Sequence, residues 1–255
     1  VCANAGTLNT GALDPLHALA ELCQSGGHWL HIDATLGGLA ALDPTLFELK
    51  ALGSADSVTL APHKWLGVPA ECSVALVREG KLLERLSQEP GVASASLQAL
   101  WQPEQSVQGH GFRALKLWAT LLHLGRDGIR SRIEQHRALA RSVAARIVEE
   151  SRLELMAQPE LSIVCFRYTA IAERSDDRLR AFNRALVAQM QAEGEVILTG
   201  AELKNGYALR ASIMHHATRG SDVAMLLQTV LKTAARLNEA GFRTSNPQPT
   251  PTPLP

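Results

Sequence analysis

Short apolar runs separated by helical patterns constrain the first half of this chain more than any other feature. Val1-Cys2-Ala3-Asn4-Ala5 runs into a turn at Gly6, and Trp29-Leu30-His31-Ile32-Asp33 stops in a loop at Gly37-Gly38. Ser57-Val58-Thr59-Leu60-Ala61 is closed by Pro62, and Cys72-Ser73-Val74-Ala75-Leu76-Val77 follows. Each has the length and composition of a strand. Between the first two, Asp14-Pro15 reads as a helix start, an acidic N-cap followed by Pro at the first helical position. Leu16, Leu19 and Cys23 then recur at helical spacing, and Gly26-Gly27 ends the helix. Short apolar strands linked by helices predict an α/β fold whose sheet is covered on both faces.

The remainder divides differently. Residues 80–110 are irregular, and Ser87 to Ser96, with Pro90-Gly91, reads as a mobile loop. Leu115, Trp118 and Leu122 mark one helical face ending near Gly125, and Trp65 and Trp118 read as core residues. A second helix runs from about Asp127 to Glu150, with Ile129, Ile133, Ala140, Val143 and Ile147 on one stripe. Its arginines alternate with Glu134, Glu149 and Glu150, the pattern of a solvated face. Beyond it, Leu161–Tyr168, Glu195–Thr199 and Tyr207–Ile213 read as strands. Helices capped at Ser175-Asp176-Asp177 and Ser221-Asp222 complete an α+β unit. The expected organisation is a partial large domain with its following helices over 1–150, a small α+β domain over 151–243, and a disordered proline-rich tail over 244–255.

Composition removes several classes of function. The 25 Lys+Arg residues balance 25 Asp+Glu, so a nucleic-acid partner is not expected. No apolar run has the ~18 residues needed to cross a bilayer, so a soluble, cytoplasmic protein is expected. Cys2, Cys23, Cys72 and Cys165 are widely spaced, and free, buried thiols in a reducing compartment follow. His28 with His31, and His215 with His216, have poor ligand geometry, so no metal is expected. The first residue is Val1, inside an expected strand, which leads us to expect a preceding segment.

The chemistry concentrates on Asp33 and Lys64. Asp33 ends a strand, at the sheet edge where α/β proteins bind ligands, and Lys64 follows the next strand. Their separation, 64 − 33 = 31 residues, suits one crossover between adjacent parallel strands. Two readings of the pair stand. It is a structural ion pair, or it brackets pyridoxal 5'-phosphate, with the lysine as Schiff-base amine and the acid holding a protonated pyridine nitrogen.

A wider set of motifs then bears on the choice. Ala5-Gly6-Thr7 with Gly11-Ala12 and Asp14-Pro15, Trp29-Leu30-His31-Ile32-Asp33-Ala34, and Asp56 through Pro62-His63-Lys64-Trp65-Leu66 occur in order. Phe112-Arg113-Ala114-Leu115-Lys116-Leu117-Trp118 and Leu209-Arg210-Ala211-Ser212 follow. The set resembles the group II pyridoxal-phosphate-dependent amino-acid decarboxylases. The resemblance implies a type I aminotransferase-like fold, a homodimer with active sites near the subunit interface, and loss of CO₂ from an amino-acid substrate. It also implies roles: Lys64 as catalytic Schiff-base lysine, Asp33 as partner of the ring nitrogen, His63 near the phosphate, and Thr35 where the family places a small alanine against the ring.

The chain departs from the family pattern at named positions. Asp-Ala-Ala-Tyr is Asp33-Ala34-Thr35-Leu36 here, Gly-Thr-Thr is Gly6-Thr7-Leu8, and the arginine pair before the phenylalanine is His110-Gly111. Many members carry a loop tyrosine about thirty residues after the lysine; this chain has only Tyr168 and Tyr207. Decarboxylation is the leading expectation. Oxidative deamination or transamination on the same cofactor, and a non-catalytic paralogue, are the alternatives these departures leave.

Overall fold

The computed structural model describes residues 1–69, 72–82, 112–240 and 242. The loop expected around Ser87–Ser96 and the tail expected from 244 lie outside them. The chain divides into two compact units, Val1–Arg137 with Met214–Ala217, and Ala138–Ile213 with the residues from Thr218 on.

In the first unit, β1 (Cys2–Asn4), β2 (His31–Asp33) and β3 (Ser57–Leu60) lie side by side and parallel. A fourth strand, β4 (Val74–Val77), pairs antiparallel with β3. The strands are shorter than the apolar runs suggest. Trp29 and Leu30 precede β2, because the Leu30 N–H is taken by Asp56 Oδ2 at 2.7 Å rather than by a ladder partner. The first crossover is helix α1 (Leu16–Gly26), ended by Gly27 in the left-handed conformation at φ 64°. Asp14 does not cap it. Its carboxylate accepts instead from the backbone and side-chain nitrogens of Asn4, at 2.7 and 3.2 Å, so Pro15 precedes the first helical residue without a side-chain cap. The second crossover consists of two 3₁₀ segments, Gly38–Leu42 and Phe47–Ser54, separated at Asp43-Pro44.

Side chains alternate across a strand. On β2 and β3 that alternation sends Ile32 and Val58 to a buried face, with Leu16 and Leu30 also in the core. His31, Asp33, Ser57 and Thr59 occupy the other face and are only half-buried. The expectation of a sheet buried on both faces therefore fails for the described residues: polar residues at alternate positions leave one face partly open.

Lys64 lies in a single helical turn, α2 (Pro62–Leu66), with Pro62 at its start and Gly67 at φ 67° ending it. The long helix α3 (Arg113–Glu149) is interrupted at Gly125, whose φ of 61° and ψ of 178° are not helical. Its second half buries Ile129, Ile133, Ala140, Val143 and Ile147 as expected. Its first half corrects the expectation for Trp118, which is 59% exposed beside exposed Leu115 and Leu122. Trp65 is buried.

The second unit is an antiparallel sheet ordered β5 (Leu153–Ala157), β6 (Ile163–Tyr168), β8 (Gly206–Ser212), β7 (Thr199–Leu203). Helices α4 (Asp176–Glu193) and α5 (Gly220–Glu239) complete it. Phe166, Phe182, Leu186, Met190, Leu209 and Val230 centre its core. The sequence reading misses β5 and places β7 too early. A two-residue turn at Lys204-Asn205 pairs Leu203 with Gly206 and so sets the hairpin register. Gly200 faces the Tyr207 ring at a distance that leaves no room for a Cβ. The caps also differ from expectation. Ser175 Oγ donates to Glu173, and Asp222 acts from the third helical position by accepting the Arg219 N–H at 2.8 Å.

Asn183 is fully buried on α4. Its Oδ1 accepts from Tyr168 N at 2.8 Å, and its Nδ2 donates to Tyr168 O and Leu179 O. Asn183→Leu fits the volume but strands the buried Tyr168 N–H and carbonyl. We expect a loss of about 3 kcal/mol, read as a lower urea midpoint with unchanged slope.

None of the four cysteines forms a disulfide. Three are buried as expected, whereas Cys2 is exposed, because β1 turns its alternate residues outward. Burial pushes the Cys165 thiol up to about 11, against the opposing pull of Arg210. No helix among the described residues is long and apolar enough to cross a membrane.

Candidate active site

The parallel register sets Asp33 beside Thr59 at the carboxyl ends of β2 and β3. The chain then turns at Ala34-Thr35-Leu36, held by Ala34 N to Thr59 O at 3.0 Å and Gly38 N to Ala34 O at 2.8 Å. A Cβ at Gly38 would displace the end of the Leu60 side chain and crowd the Ala34 methyl. That turn aims the Thr35 N–H at Asp33 Oδ1, 3.0 Å away, and Thr59 Oγ1 reaches the same oxygen at 3.5 Å.

Lys64 arrives from the next connection. Its Nζ donates to Thr35 Oγ1 at 3.2 Å. The structure thus brings Asp33, Thr35 and Lys64 together, with Thr35 bonded to both charged groups. Burial raises the Asp33 pKa, but the Thr35 backbone and side chain, the Lys64 charge and Thr59 outweigh it, and the carboxyl lies below its ordinary range. Asp33 is therefore ionised at neutral pH.

His63, also on α2, is half-buried, and its Nδ1 lies 3.2 Å from Cys72 O. A carbonyl only accepts, so the proton of that bond sits on Nδ1. No described contact joins His63 to Asp33, Thr35 or Lys64.

The sequence reading missed two supporting groups. Thr59 is legible only once the β2–β3 register is known. The Trp65 indole N–H donates to Leu36 O and so ties the lysine-bearing turn to the turn that follows Asp33. Its clue in sequence is a tryptophan directly after the lysine, which reads equally well as core.

At the opposite ends of the same strands, Ser57 Oγ lies 2.8 Å from His31 Nδ1 and accepts from Trp29 Nε1 at 3.0 Å. His31 thus serves this network.

An ionised acid and a primary amine on one open sheet edge, linked through a threonine, are chemically suited to a flat cationic aromatic ring bearing an aldehyde. The acid can hold a protonated ring nitrogen, and the amine can condense with the aldehyde.

Comparison with known proteins gives a matching picture. The chain is 31% identical to an aromatic-L-amino-acid decarboxylase of Bacillus atrophaeus, an alignment covering 95% of this chain and 51% of that protein. It is 29% identical to a phenylacetaldehyde synthase of Arabidopsis thaliana, covering 84% of this chain and 45% of that one. Among solved structures, mouse CSAD in its apo form superposes with a TM-score of 0.79 at 29% identity, over 92% of this chain and 51% of that chain. The chain thus spans about half the length of the curated relatives it matches. Its fold is the type I fold of these enzymes, in the part that the chain covers. The model of the pyridoxal-dependent decarboxylase conserved domain matches residues 1–169, the stretch that carries Asp33, Thr35, His63 and Lys64, and the chain belongs to that family.

Proposed function

We propose that this chain acts in the pyridoxal-phosphate-dependent decarboxylation of an amino acid. The observation that carries the reading is the Asp33–Thr35–Lys64 arrangement in a member of this family. Lys64 would hold the cofactor covalently through Nζ, and Asp33 would hold its ring nitrogen. His63 would lie on the phosphate side, and Thr35 against the ring. When bound, the cofactor supplies an electron sink that takes up the pair released as the bond to the carboxylate carbon breaks and CO₂ departs.

The chain's own groups prepare that step. Asp33 stays anionic because two threonines and a lysine oppose the cost of its burial, so it can keep a proton on a facing ring nitrogen. Thr35 Oγ1 accepts from Lys64 Nζ and restricts where the amine points. The Thr35 N–H fixes one Asp33 oxygen and leaves the other for a ligand. With cofactor and substrate bound, Lys64 Nζ would be the amine available on this sheet edge to carry a proton.

The test is CO₂ release from a panel of L-amino acids by protein loaded with pyridoxal phosphate. Aldehyde and peroxide are measured in parallel. CO₂ with amine supports decarboxylation, and cofactor binding without CO₂ from any amino acid overturns it. A second reading keeps the cofactor and ends in an aldehyde. It is favoured by the similarity to a phenylacetaldehyde synthase and by the lack of any tyrosine between residues 64 and 168. Equimolar peroxide and aldehyde would select it.

The rest of the reading is proposed with it. Residues 1–150 serve as the cofactor-binding part and 151–243 as a small domain, in a cytoplasmic enzyme. The exposed Leu115, Trp118 and Leu122 face of α3 supports a homodimer. Light scattering should then give twice the chain mass, and a monomer at micromolar concentration would remove the dimer from the proposal.

A further inference from the structure

His136 lies within the first unit, on α3, and the function proposed above does not use it. Its ring is completely buried. It stacks on the Trp65 indole with centroids 5.8 Å apart and planes 25° apart. Its Nε2 lies 3.1 Å from the carbonyl oxygen of His215. Since that oxygen only accepts, Nε2 carries the proton. Nδ1 is buried and has no hydrogen-bond partner among the described residues. A neutral ring tolerates this, because Nδ1 is then a bare lone pair. A protonated ring does not, because it would bury an N–H and a positive charge with nothing to receive them.

The groups facing the ring make protonation harder still. Arg132 lies on its own helix, and His215 and His216 come from the segment Met214–Ala217. Helix α2 presents the Trp65 indole. One residue along, the Arg137 guanidinium is already engaged by Asp43 and Thr45. Burial, chiefly, pushes the His136 pKa below the ordinary histidine range; the bond to the His215 carbonyl opposes it, and Arg132, with the His215 and His216 rings, adds to it.

What the ring supports is the element that carries Lys64. Trp65 follows Lys64 in the same short turn, and its indole N–H holds Leu36 O, one residue after the threonine that accepts from Lys64 Nζ. Arg132 Nη1 also donates to Leu66 O, at 3.1 Å. A turn of five residues has little stability of its own, so its position depends on what backs it.

We propose that His136 is a positioning residue for Lys64: as a neutral ring protonated on Nε2, it clamps Trp65 and thereby the turn that presents the lysine amine. Protonation of His136 releases the clamp. The consequence for cofactor rests on the function proposed above, whereas the clamp itself does not.

Two readouts separate them. The first is NMR of the cofactor-free protein. At pH 7 the ¹⁵N shifts of His136 should show a protonated Nε2 and a bare Nδ1. The Trp65 indole N–H resonance, assigned through Trp65→Phe, should then shift in one step on acidification, together with His136. The second is the visible band of pyridoxal phosphate bound to the protein, which should fall by half at the midpoint of that step. His136→Gln keeps a donor for His215 O and cannot titrate. Lacking the ring that stacks on Trp65, it should abolish the step in both readouts and leave the band weaker already at neutral pH.

A charged or Nδ1-protonated His136 at pH 7 overturns the proposal, and so does an unchanged acid step in His136→Gln. If that variant does not fold, the wild-type titration decides alone: a Trp65 resonance that does not move with His136 overturns the clamp. Absence of a visible band in every protein would count against the cofactor reading, and the NMR step would still test the clamp.

Discussion

Lys64→Ala is expected to abolish the visible band of bound pyridoxal phosphate and to lower CO₂ release by roughly 10³-fold or more. The side chain has two jobs in the proposed function: it anchors the cofactor through Nζ and is the amine available to carry a proton. No other amine is described on this sheet edge. Thr35 Oγ1, which accepts from Nζ at 3.2 Å, is an alcohol and cannot replace it. Lys64→Arg separates charge from chemistry. A guanidinium retains the positive charge near Asp33 but stays protonated and cannot condense with an aldehyde. It should therefore lose the band as fully as alanine does, while stabilising ionised Asp33 better. The half-buried lysine is not a core residue, so both variants should remain folded, with circular dichroism unchanged. A band that survives in Lys64→Ala would remove Lys64 from its role.

Asp33→Asn should weaken cofactor binding by about 10²-fold, the range of one charge-assisted hydrogen bond at ~1.5–3 kcal/mol. Turnover by the cofactor that does bind should fall as well. Asparagine has the shape of aspartate, and its carbonyl oxygen can still accept the Thr35 N–H, so the turn persists. What disappears is the negative charge that holds a proton on a facing ring nitrogen. The pH dependence has a definite sign. Asp33 is depressed in the folded protein, so its contribution is fully present above the ordinary carboxylate range and is lost as pH falls through the lowered value. Equilibrium dialysis at decreasing pH should show that acid limb in the wild type and not in the asparagine variant. Wild-type affinity in Asp33→Asn would separate Asp33 from the cofactor.

These two variants act on opposite sides of one threonine, which family resemblance marks only as an alanine-like position. Thr35 shows how far linear reading reaches. Its number could be carried over from a motif. That its N–H holds the acid while its hydroxyl accepts from the lysine depends on a turn whose geometry is set by Gly38 and by Ala34 bonding across to Thr59. Thr59 shows the same limit, because its approach to Asp33 is a consequence of parallel register. Trp118 shows it in reverse. A tryptophan on an apolar stripe has the pattern of a core residue, and only solvent exposure reveals that the stripe is unburied in this chain. Helix starts misled for a local reason: Asp14, Ser175 and Ser221 are sound caps by residue type, but competing partners took two of those side chains and a two-residue shift displaced the third.

By itself, the order of residues determined the alternation of strand and crossover, the presence of an acid and an amine at one sheet edge, and the family. Each of these rests on short-range pattern or on motif spacing, which survive without knowledge of the fold. Only the tertiary structure decided which hydroxyl joins Asp33 to Lys64, which face of the sheet stays open, and that a histidine 72 residues downstream backs the lysine's turn. The physical reason is that hydrogen bonds and ring contacts are made between groups distant in the chain, and their partners are fixed by packing and register rather than by propensity.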